Sequence, residues 1–281
     1  MAPTEFDNWL LDVARRPLVM AVLNVTPDSF SDGGRYADPA RAAEAACAML
    51  EAGADLIDVG GESTRPGAMA VKPEEQIHRV VPAIAAIRKR TDATISVDTT
   101  QSAVAAAALD GGANLINDTS AGRDDPGMLL LAASRKTPII LMHRQGVPPD
   151  MQRSPVYSDV TREVAEFLRD RLAVATAAGV KPEKILLDPG IGFGKNVEHN
   201  LTLLRDLTVL TAIGRPVVIG TSRKSFIGRV LGEEDPLRRG WGDAAAISWA
   251  VANGAAMVRV HEVRPMSQVV RMTRAIRRGN V

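Results

Sequence analysis

The sequence predicts a (β/α)8 barrel, and three observations favour this fold class. A short pattern recurs in which a helical stretch ends in a glycine and an apolar run follows, as in residues 51–58, 110–117 and 253–260. Eight such apolar runs alternate with helical stretches along the chain. The length of 281 residues is close to the ~250 residues that are typical of such barrels. A doubly wound open sheet is the alternative, because it requires the same alternation.

The eight apolar runs are interpreted as strands that are buried on both faces. Continuous apolar runs of this length are typical of parallel sheets rather than of half-exposed strands. A glycine before such a run fits the left-handed residue that ends many helices. The predicted strands lie near residues 19–23, 55–59, 94–97, 114–117, 138–142, 185–188, 216–220 and 257–261.

Three of the helices between these strands have clear signals. Lys72-Pro73-Glu74-Glu75 predicts a helix start, with proline at the first helical position and acids in the first turn. Asp125-Pro126 predicts a second start, and residues 159–178 form a third helical stretch. The helix that follows Lys72 has one apolar face, which consists of Ile77, Val80, Val81, Ile84 and Ile87.

The composition excludes several classes of protein. Cys47 is the single cysteine, so an internal disulfide and a cysteine-rich metal site are excluded. The 34 Lys and Arg against 33 Asp and Glu give a net charge of +1, which argues against nucleic-acid binding through a basic face. No apolar run approaches the ~18 residues of a membrane helix. Residues 1–16 carry acids where an export signal needs positive charge, so we expect a cytoplasmic protein.

The domain organisation predicted from this reading is simple. Residues 18–281 form one barrel domain, and residues 1–17 form an N-terminal extension across its floor. Three connections, 24–38, 60–72 and 143–158, exceed the usual length of about 4–6 residues. They follow the first, second and fifth strands, so they lie on the C-terminal face, where such barrels place their chemistry.

Polar residues collect at the carboxyl ends of the predicted strands, where they would meet at the barrel mouth. For Asp58 we favour a helix cap or a structural hydrogen bond over a direct role. The polar residues at the strand ends are Asn24, Asp58, Glu62, Asp98, Asn117, His143, Asp188, Ser222, Lys224, Arg259 and His261.

Two carboxylates and an amide in this set, Asp98, Asp188 and Asn117, suit a planar heterocycle. A carboxylate accepts two hydrogen bonds from an amino group and a ring N–H, and an asparagine both donates and accepts. This combination indicates a guanine-like or pterin-like ring. Arg259 and His261 suit an anion, and barrels often bind phosphate near their seventh and eighth strands. The residues therefore predict a small substrate with a ring at one end and a phosphate-type anion at the other.

Other motifs are weaker. Residues 190–195, Gly-Ile-Gly-Phe-Gly-Lys, are similar to a phosphate-cradling loop but lack the spacing of a P-loop or of the dinucleotide fingerprint. The four histidines show no metal-ligand spacing, so no zinc site is expected.

Eight motifs run in order from the first strand to the last. The first, Asn24-Val-Thr-Pro-Asp-Ser-Phe-Ser-Asp-Gly-Gly34, and the seventh, Ser222-Arg-Lys-Ser225, are specific. Together the set resembles the dihydropteroate synthase family over most of the chain. The remaining motifs are Gly60–Gly67, Ser96–Thr99, Asn117-Asp118, Leu141–His143, Leu187–Gly194 and Arg259–His261.

The resemblance implies a (β/α)8 barrel transferase of folate synthesis. The family joins a dihydropterin pyrophosphate to p-aminobenzoate and releases pyrophosphate, with Mg²⁺ as cofactor, and it is the target of sulfonamides. Pyrophosphate leaves first in this family, and the pterin methylene carbon becomes cationic. The resemblance also implies a homodimer, formed through helices on the far side of the barrel.

The resemblance also assigns residues to each part of the site. Pyrophosphate would meet Asn24, Arg259 and His261, with Asn24 as the Mg²⁺ ligand. The catalytic groups would be Asp98, Lys224, Asp32 and Arg65. The pterin ring would lie among Asp98, Asn117, Met142, Asp188, Phe193, Gly220 and Lys224. The p-aminobenzoate site would consist of Phe30, Thr64, Arg65, Pro66, Phe193, Lys224 and Ser225.

Three other interpretations compete with this one. A pterin-dependent methyltransferase on the same barrel would share the Asp and Asn of the pterin site, but it would not need the first-loop signature or Ser222–Ser225. A catalytically silent pterin-binding paralogue would usually have lost catalytic side chains, and none is missing here. A sulfonamide-insensitive synthase is disfavoured, because the loop residues follow the ordinary pattern. Thr119 stands where the family often has Ile, and it would line the pterin pocket.

Overall fold

The computed structural model describes residues 1–26, 38–62, 71–146 and 155–280, and within them parallel strands form one eight-stranded sheet. Each lies within two residues of its predicted position. The strands are β1 (Leu18–Asn24), β2 (Leu56–Gly60), β3 (Thr94–Asp98), β4 (Leu115–Asp118), β5 (Ile139–Met142), β6 (Ile185–Asp188), β7 (Val218–Ile219) and β8 (Met257–Val260).

Helices separate the strands throughout the described ranges. Two short 3₁₀ turns, Pro182–Lys184 and Pro236–Arg238, accompany them. The helices are α1 (Pro3–Leu11), α2 (Pro39–Glu51), α3 (Pro73–Arg88), α4 (Ser102–Asp110), α5 (Gly127–Arg135), α6 (Val160–Ala177), α7 (Val197–Arg205), α8 (Leu207–Thr211), α9 (Ser225–Leu231), α10 (Gly240–Ala252) and α11 (Val263–Arg278).

The three predicted helices with clear signals are confirmed, and local capping explains where they begin. Helix α3 begins at Pro73 with acids in its first turn. Helix α5 begins at Gly127, whose N–H donates to the side chain of Asp125 at 2.8 Å. Helix α6 follows Asp159, whose carboxylate accepts from the backbone N–H of Arg162 at 3.0 Å. A side-chain acceptor at this position satisfies an N–H that has no partner within the helix.

The sheet closes on itself, which confirms the barrel and makes the open-sheet alternative wrong. The strand order β6-β5-β4-β3-β2-β1-β8-β7 leaves β6 and β7 at the two ends. A bridge between Leu187 and Val217 joins those ends, and the N–H of Leu187 donates to Pro216 O at 2.9 Å. A closed sheet leaves no unpaired edge, and that removes a common route to aggregation.

Strand alternation divides the buried side chains between two regions. Odd positions of β1, such as Val19 and Ala21, face outward and pack in the layer between strands and helices. Even positions, such as Leu18 and Met20, face the barrel interior. In this lower interior they pack against Phe6, Trp9 and Leu10 of α1, which lies within residues 1–17. The lower interior is therefore apolar, and the same inward parity continues up the strands toward the mouth.

The long connections that we predicted fall largely outside the described residues. The segments 27–37, 63–70 and 147–154 belong to them. Among the helices in the described ranges, none is both long and apolar enough to cross a membrane.

Candidate active site at the carboxyl ends of the strands

A cavity of about 600 Å³ opens at the carboxyl ends of the strands. Eleven of the predicted site residues line it: Asn24, Asp98, Asn117, Met142, Asp188, Phe193, Gly220, Lys224, Ser225, Arg259 and His261. The other predicted site residues, Phe30, Asp32, Thr64, Arg65 and Pro66, lie outside the described residues.

Strand register explains why residues so far apart in sequence meet here. Asp98 pairs with Asn117 across β3 and β4, and Met142 pairs with Asp188 across β5 and β6. Asn117, Met142 and Asp188 face inward, because they continue the alternation that places Leu115, Ile140 and Leu186 in the lower interior. Asp98 faces inward because it alternates with Ile95 and Val97, which pack in the outer layer. The carboxyl ends of parallel strands lie at one end of the barrel, so their last inward residues form one rim.

Arg259 joins two carboxylates at the base of the cavity. Its Nε donates to Asp58 Oδ2 at 2.7 Å, and its Nη2 donates to Asp98 Oδ2 at 2.7 Å. Asp58 Oδ2 also accepts from Asn117 Nδ2 at 3.0 Å. Asp58 is fully buried and does not line the cavity, which agrees with the structural hydrogen bond that we favoured for it. The residues predicted to bind the ring and those predicted to bind the anion thus meet at the hydrogen bond between Asp98 and Arg259.

Two of the carboxylates that line the cavity, Asp98 and Asp188, have raised pKa values. Burial raises the pKa of Asp98 to about 7, against the opposing effect of Arg259. Burial also raises the pKa of Asp188 to about 6, although the backbone N–H of Gly190 donates to it at 2.6 Å and lowers it. A carboxylate that costs free energy to desolvate gains when a ligand donates hydrogen bonds to it. Both groups are therefore poised to bind a ring that carries donors.

Lys224 stands beside these acids with its cation over an aromatic ring. Its Nζ lies 3.8 Å from the centre of the Phe193 ring, within the range of a cation–π interaction. Burial and then the positive charge of Arg259 lower the pKa of Lys224 to about 8. The carboxylates of Asp188 and Asp98 oppose this shift. Lys224 therefore carries its proton at neutral pH and can donate to a ligand in the cavity.

The glycine-rich loop 190–195 is built around a buried lysine. Lys195 Nζ donates to the carbonyls of Gly190 and Phe193 at 3.0 Å each, and it lies 2.9 Å from His143 Nδ1. Burial lowers the pKa of Lys195 to about 7. A Cβ on Gly190 would lie 1.9 Å from the carbonyl oxygen of His143, so only glycine fits there. The loop is a rigid support for Phe193, and its lysine faces the protein rather than a phosphate.

Sequence reasoning missed several lining residues. Arg223 lines the cavity in a left-handed conformation, with φ of 63°. Its carbonyl accepts from Arg239 Nη1 at 3.0 Å, which helps to hold that backbone. Strained residues of this kind cluster at functional sites. Arg239 itself lines the cavity together with Asp235, Pro236 and Leu237, and no motif pointed to that segment. Thr119 lines the cavity, as expected.

The described residues contain no cluster of three or more His, Cys, Asp or Glu side chains that could hold a metal ion by themselves. Asn24 offers a neutral amide at the cavity wall, and a Cβ on Gly60 would lie 3.5 Å from its Oδ1. Mg²⁺ is often held by one or two protein oxygens, with waters and substrate phosphates completing its shell. The described residues therefore fit an ion that arrives with a phosphate ligand, and they do not fit a site formed by protein alone.

Comparisons with known proteins agree with this geometry. A profile of the pterin binding enzyme family matches residues 20–261. A dihydropteroate synthase from Synechocystis sp. is 45% identical over 98% of this chain and 95% of its own. The crystal structure of the Yersinia pestis dihydropteroate synthase in a sulfonamide complex matches with a TM-score of 0.88 and 44% identity, covering 94% of this chain and 95% of its own. The Xanthomonas albilineans enzyme in complex with 7,8-dihydropteroate matches with a TM-score of 0.84 and 39% identity, over 93% and 94%.

Proposed function

The chain belongs to the dihydropteroate synthase family of pterin binding enzymes, and we propose that it condenses 6-hydroxymethyl-7,8-dihydropterin pyrophosphate with p-aminobenzoate. The products are 7,8-dihydropteroate and pyrophosphate. One observation carries the proposal for this chain: Asp98, Asn117, Asp188 and Lys224 line one cavity with Arg259 and His261. The first group supplies acceptors and donors for a pterin ring, and the second supplies cationic groups for pyrophosphate.

The pterin ring would lie against Asp188, Asn117 and Lys224. Asp188 accepts from the ring N–H and the amino group of the pterin, while Asn117 and Lys224 donate to its acceptors. Met142 and Phe193 are the two apolar residues of a small cluster beside these groups, and they pack against the ring faces. Asp188 is buried and lines the cavity, which supports this assignment, because the ring would supply further donors to its carboxylate.

The p-aminobenzoate site would lie at the outer side of the cavity. Phe193, Lys224 and Ser225 line that part of it, and Lys224 suits the carboxylate of the substrate. Phe30, Thr64, Arg65 and Pro66 would complete the site, with Arg65 and Asp32 as further catalytic groups. These five assignments rest on the motifs alone.

Magnesium would bind together with the pyrophosphate group rather than before it. Asn24 would hold the ion, since its amide oxygen belongs to the cavity wall and phosphate oxygens would supply further ligands. When bound, the ion neutralises charge on the departing pyrophosphate. This need for a shared ligand set predicts that Mg²⁺ binds tightly only when pyrophosphate is present.

The reaction would begin with departure of pyrophosphate. The bond between the pterin methylene carbon and the pyrophosphate oxygen breaks, and its electron pair leaves with pyrophosphate. Arg259 and His261 stabilise the charge that develops on the leaving group, and Asp98 stabilises the cationic methylene carbon in the buried base of the cavity. The arylamine nitrogen of p-aminobenzoate then attacks the carbon, and the nitrogen loses its proton to solvent. Arg259 contacts Asp98 at 2.7 Å, so the group assigned to the leaving anion is hydrogen-bonded to the group assigned to the carbon.

The protein would act in the cytoplasm as a homodimer. Apolar side chains are exposed on neighbouring helices α7, α8, α10 and α11, where an interface would cover them. Trp249 of α10 anchors this face to α7, because its Nε1 donates to Leu204 O at 2.8 Å. The exposed apolar residues are Leu201, Val209, Trp249, Met272 and Ile276.

The activity is tested by measuring pyrophosphate release with and without p-aminobenzoate, in the presence of Mg²⁺. Release that is coupled to 7,8-dihydropteroate, and that sulfonamides inhibit competitively with p-aminobenzoate, would support the proposal. Tight pterin binding without turnover would favour a silent paralogue. Methyl transfer from a methylated pterin, with no condensation, would favour the methyltransferase. Active enzyme that sulfonamides do not inhibit would contradict the p-aminobenzoate assignment alone. Light scattering, which measures the mass of the protein in solution, tests the proposed homodimer.

A further inference from the structure

A second cavity, of about 380 Å³, lies at the opposite end of β1 from the active site. It opens beside the start of this strand and the end of α2, and α11 forms its other wall. Strand β1 begins here at Leu18 and reaches the active-site cavity near its other end, at Val22 and Asn24. Within the described part of the chain the two cavities share no lining residue. The charged residues that line the second cavity are Arg16, Glu51, Asp55, Arg264, Arg271 and Arg274.

Three of these arginines lie on one face of α11. Arg264, Arg271 and Arg274 are seven and three residues apart, which places them along one side of a helix with 3.6 residues per turn. Gln268, one turn after Arg264, lines the cavity as well. Helix α11 contains no acidic residue, so it offers these arginines no partner of its own.

The cations of the second cavity outnumber its anions. Four arginines against two carboxylates give the lining a net charge of +2. Asp55 is already engaged, because it pairs with Arg16 and accepts from the backbone N–H of Val19 at 2.8 Å. Glu51 is exposed and forms no ion pair with another described residue. Within the described ranges, no ion pair or side-chain hydrogen bond involves any of the three arginines that α11 contributes to the cavity.

This crowding of positive charge costs free energy. Burial, and then the positive charges of Arg278 and Arg16, lower the pKa of Arg274. Like charges three or four residues apart on a helix also destabilise it. The helix dipole does not offset this cost, since it favours cations only in the last turn and disfavours one at Arg264, in the first turn. An anion in the cavity would relieve the repulsion.

A simply solvated helix surface does not explain how these arginines are distributed. Exposed positions of α11 that do not line the cavity include Met272 and Ile276, which are apolar. Arg277 donates to Val251 O of α10 at 3.0 Å, and Arg278 donates to Ala14 O at 3.3 Å. Among the described contacts, the arginines of α11 that have no partner are therefore the three that line the cavity.

We propose that the second cavity binds an anion of the phosphate type through Arg264, Arg271 and Arg274. A phosphate group with two negative charges would balance the net charge of the lining, and guanidinium groups bind phosphate through paired N–H···O bonds. The amide of Gln268 offers a further donor. A volume of about 380 Å³ accommodates inorganic phosphate, pyrophosphate or the phosphate chain of a nucleotide. This inference does not depend on the proposed activity, because the site is separate from the active-site cavity.

Nitrogen-15 NMR of the arginine side chains tests the site directly, in the full-length protein titrated with inorganic pyrophosphate at about 0.15 M salt. The Nε atom of Arg274 is buried, so its N–H should exchange slowly with water and give a visible signal. Arg271→Gln and Arg274→Gln identify the two signals, and we expect both to move with one dissociation constant in the wild type.

The double variant Arg271→Gln/Arg274→Gln measures what the two side chains contribute. Binding, followed at the Arg264 signal, should weaken about hundredfold, since a hydrogen bond to a charged group is worth roughly a factor of ten. Both KM values and kcat should stay within about twofold, because the site lies at the other end of the barrel from the chemistry.

Arg169→Gln is the matched control, because Arg169 is an exposed arginine of α6 that does not line the cavity. It removes the same charge from the protein and should leave the dissociation constant within about twofold. Glu51→Gln should act in the opposite direction and tighten binding about threefold, because it removes a negative charge from the lining. Arginine signals that do not move up to about 10 mM pyrophosphate would overturn the inference. A loss of affinity in Arg169→Gln equal to that in the double variant would overturn it as well.

Titrations with inorganic phosphate and with ATP identify the source of the anion. Tighter binding of ATP than of pyrophosphate would show that the site takes a nucleotide, and equal affinities would show that it takes the phosphate group alone. A protein without synthase activity that still shows the arginine shifts would overturn the proposed function and leave this inference intact.

Discussion

The two ends of the barrel interior are formed by the same strands but differ in polarity: the floor is apolar and the mouth is polar. At the floor, Leu18 and Met20 of β1 pack against Phe6 of α1, and all three are almost fully buried. At the mouth, the same strand presents Asn24, and β3 presents Asp98. The floor gains free energy by removing apolar surface from water. The mouth loses free energy, because carboxylates are buried before a ligand completes their hydrogen bonds.

This contrast explains how the protein can bury carboxylates at the mouth, at a cost in free energy, and still keep a stable fold. The raised pKa values of Asp98 and Asp188 show that their charged forms are disfavoured by burial. The apolar floor and the outer layer around the barrel offset that cost. A polar site of this kind is supported by a rigid frame rather than by its own contacts. Substitutions at the mouth should therefore change activity most, and substitutions at the floor should change stability most.

The largest effect is expected at the mouth, for Asp98→Asn. Removing the negative charge beside the methylene carbon should lower kcat about 10³-fold, which is about 4 kcal/mol of transition-state stabilisation. Pyrophosphate release measures the loss. Asp118→Asn is the matched control. Asp118 lies at the end of β4 and is also buried, but its carboxylate accepts from the backbone N–H groups of Ser120 and Gly122 and does not line the cavity. Asp118→Asn should destabilise the fold and keep kcat within about threefold. Equal kinetic losses in the two variants would contradict the assigned role of Asp98.

The floor should respond in the opposite way to Phe6→Ala. Phe6 is 1% exposed and stacks on Trp9 at a centroid distance of 5.4 Å. Its truncation should lower the free energy of unfolding by about 3 kcal/mol, since it removes apolar burial and leaves a cavity. Denaturant unfolding measures this change, and kcat of the folded enzyme should stay constant. Leu11→Ala on the same helix, at an exposed position, should cost less than about 0.5 kcal/mol. A drop in kcat for Phe6→Ala would show that the two ends are coupled.

A smaller effect on stability, with a size that depends on pH, is expected for Asp188→Asn. The pKa of Asp188 is raised from 3.8 to about 6, so the folded state binds the proton more tightly than the unfolded state does. The stability that this group contributes is therefore complete below about pH 4, falls as pH rises from about 4 to 6, and is a penalty above that range. Asn cannot ionise, so Asp188→Asn should be about 1–2 kcal/mol more stable than the wild type at pH 8.

Melting temperatures at pH 4 and pH 8 test this prediction. The difference should be much smaller at pH 4, where Asp188 is protonated in the folded state and about half protonated in the unfolded state. Pterin binding should weaken in Asp188→Asn at both pH values, because the acceptor for two donors is lost. A variant that is less stable than the wild type at pH 8 would mean that Lys224 and Lys195 favour the carboxylate more than burial disfavours it.

The sequence predicted the fold well because its signals are local. Apolar runs and glycine caps placed every strand within two residues, and Pro73 marked the start of α3. The site was also partly predictable, because side chains along a strand alternate between the barrel interior and the outer layer. A polar residue at the last inward position of a strand must face the mouth, which is why Asp98, Asn117 and Asp188 meet there.

Long-range partners could not be predicted from the same signals. Arg259 contacts Asp58 across 201 residues, and Lys195 contacts His143 across 52. Such pairs depend on side-chain geometry that no local pattern encodes.

The smallest expected effect concerns Ser96, between the floor and the mouth. Ser96 is fully buried, and its Oγ has no hydrogen-bond partner among the described residues. It pairs in register with Asp58, whose Oδ1 also lacks one there. Ser96→Ala should therefore leave stability unchanged or raise it by less than about 1 kcal/mol, because an unpaired hydroxyl contributes no bond. Thr94→Val on the same strand removes a hydroxyl that donates to Met1 O at 3.2 Å, and it should cost about 1 kcal/mol. If Ser96→Ala is the more damaging of the two, a water bridges Ser96 to Asp58, and the polar network of the mouth extends one layer deeper into the barrel.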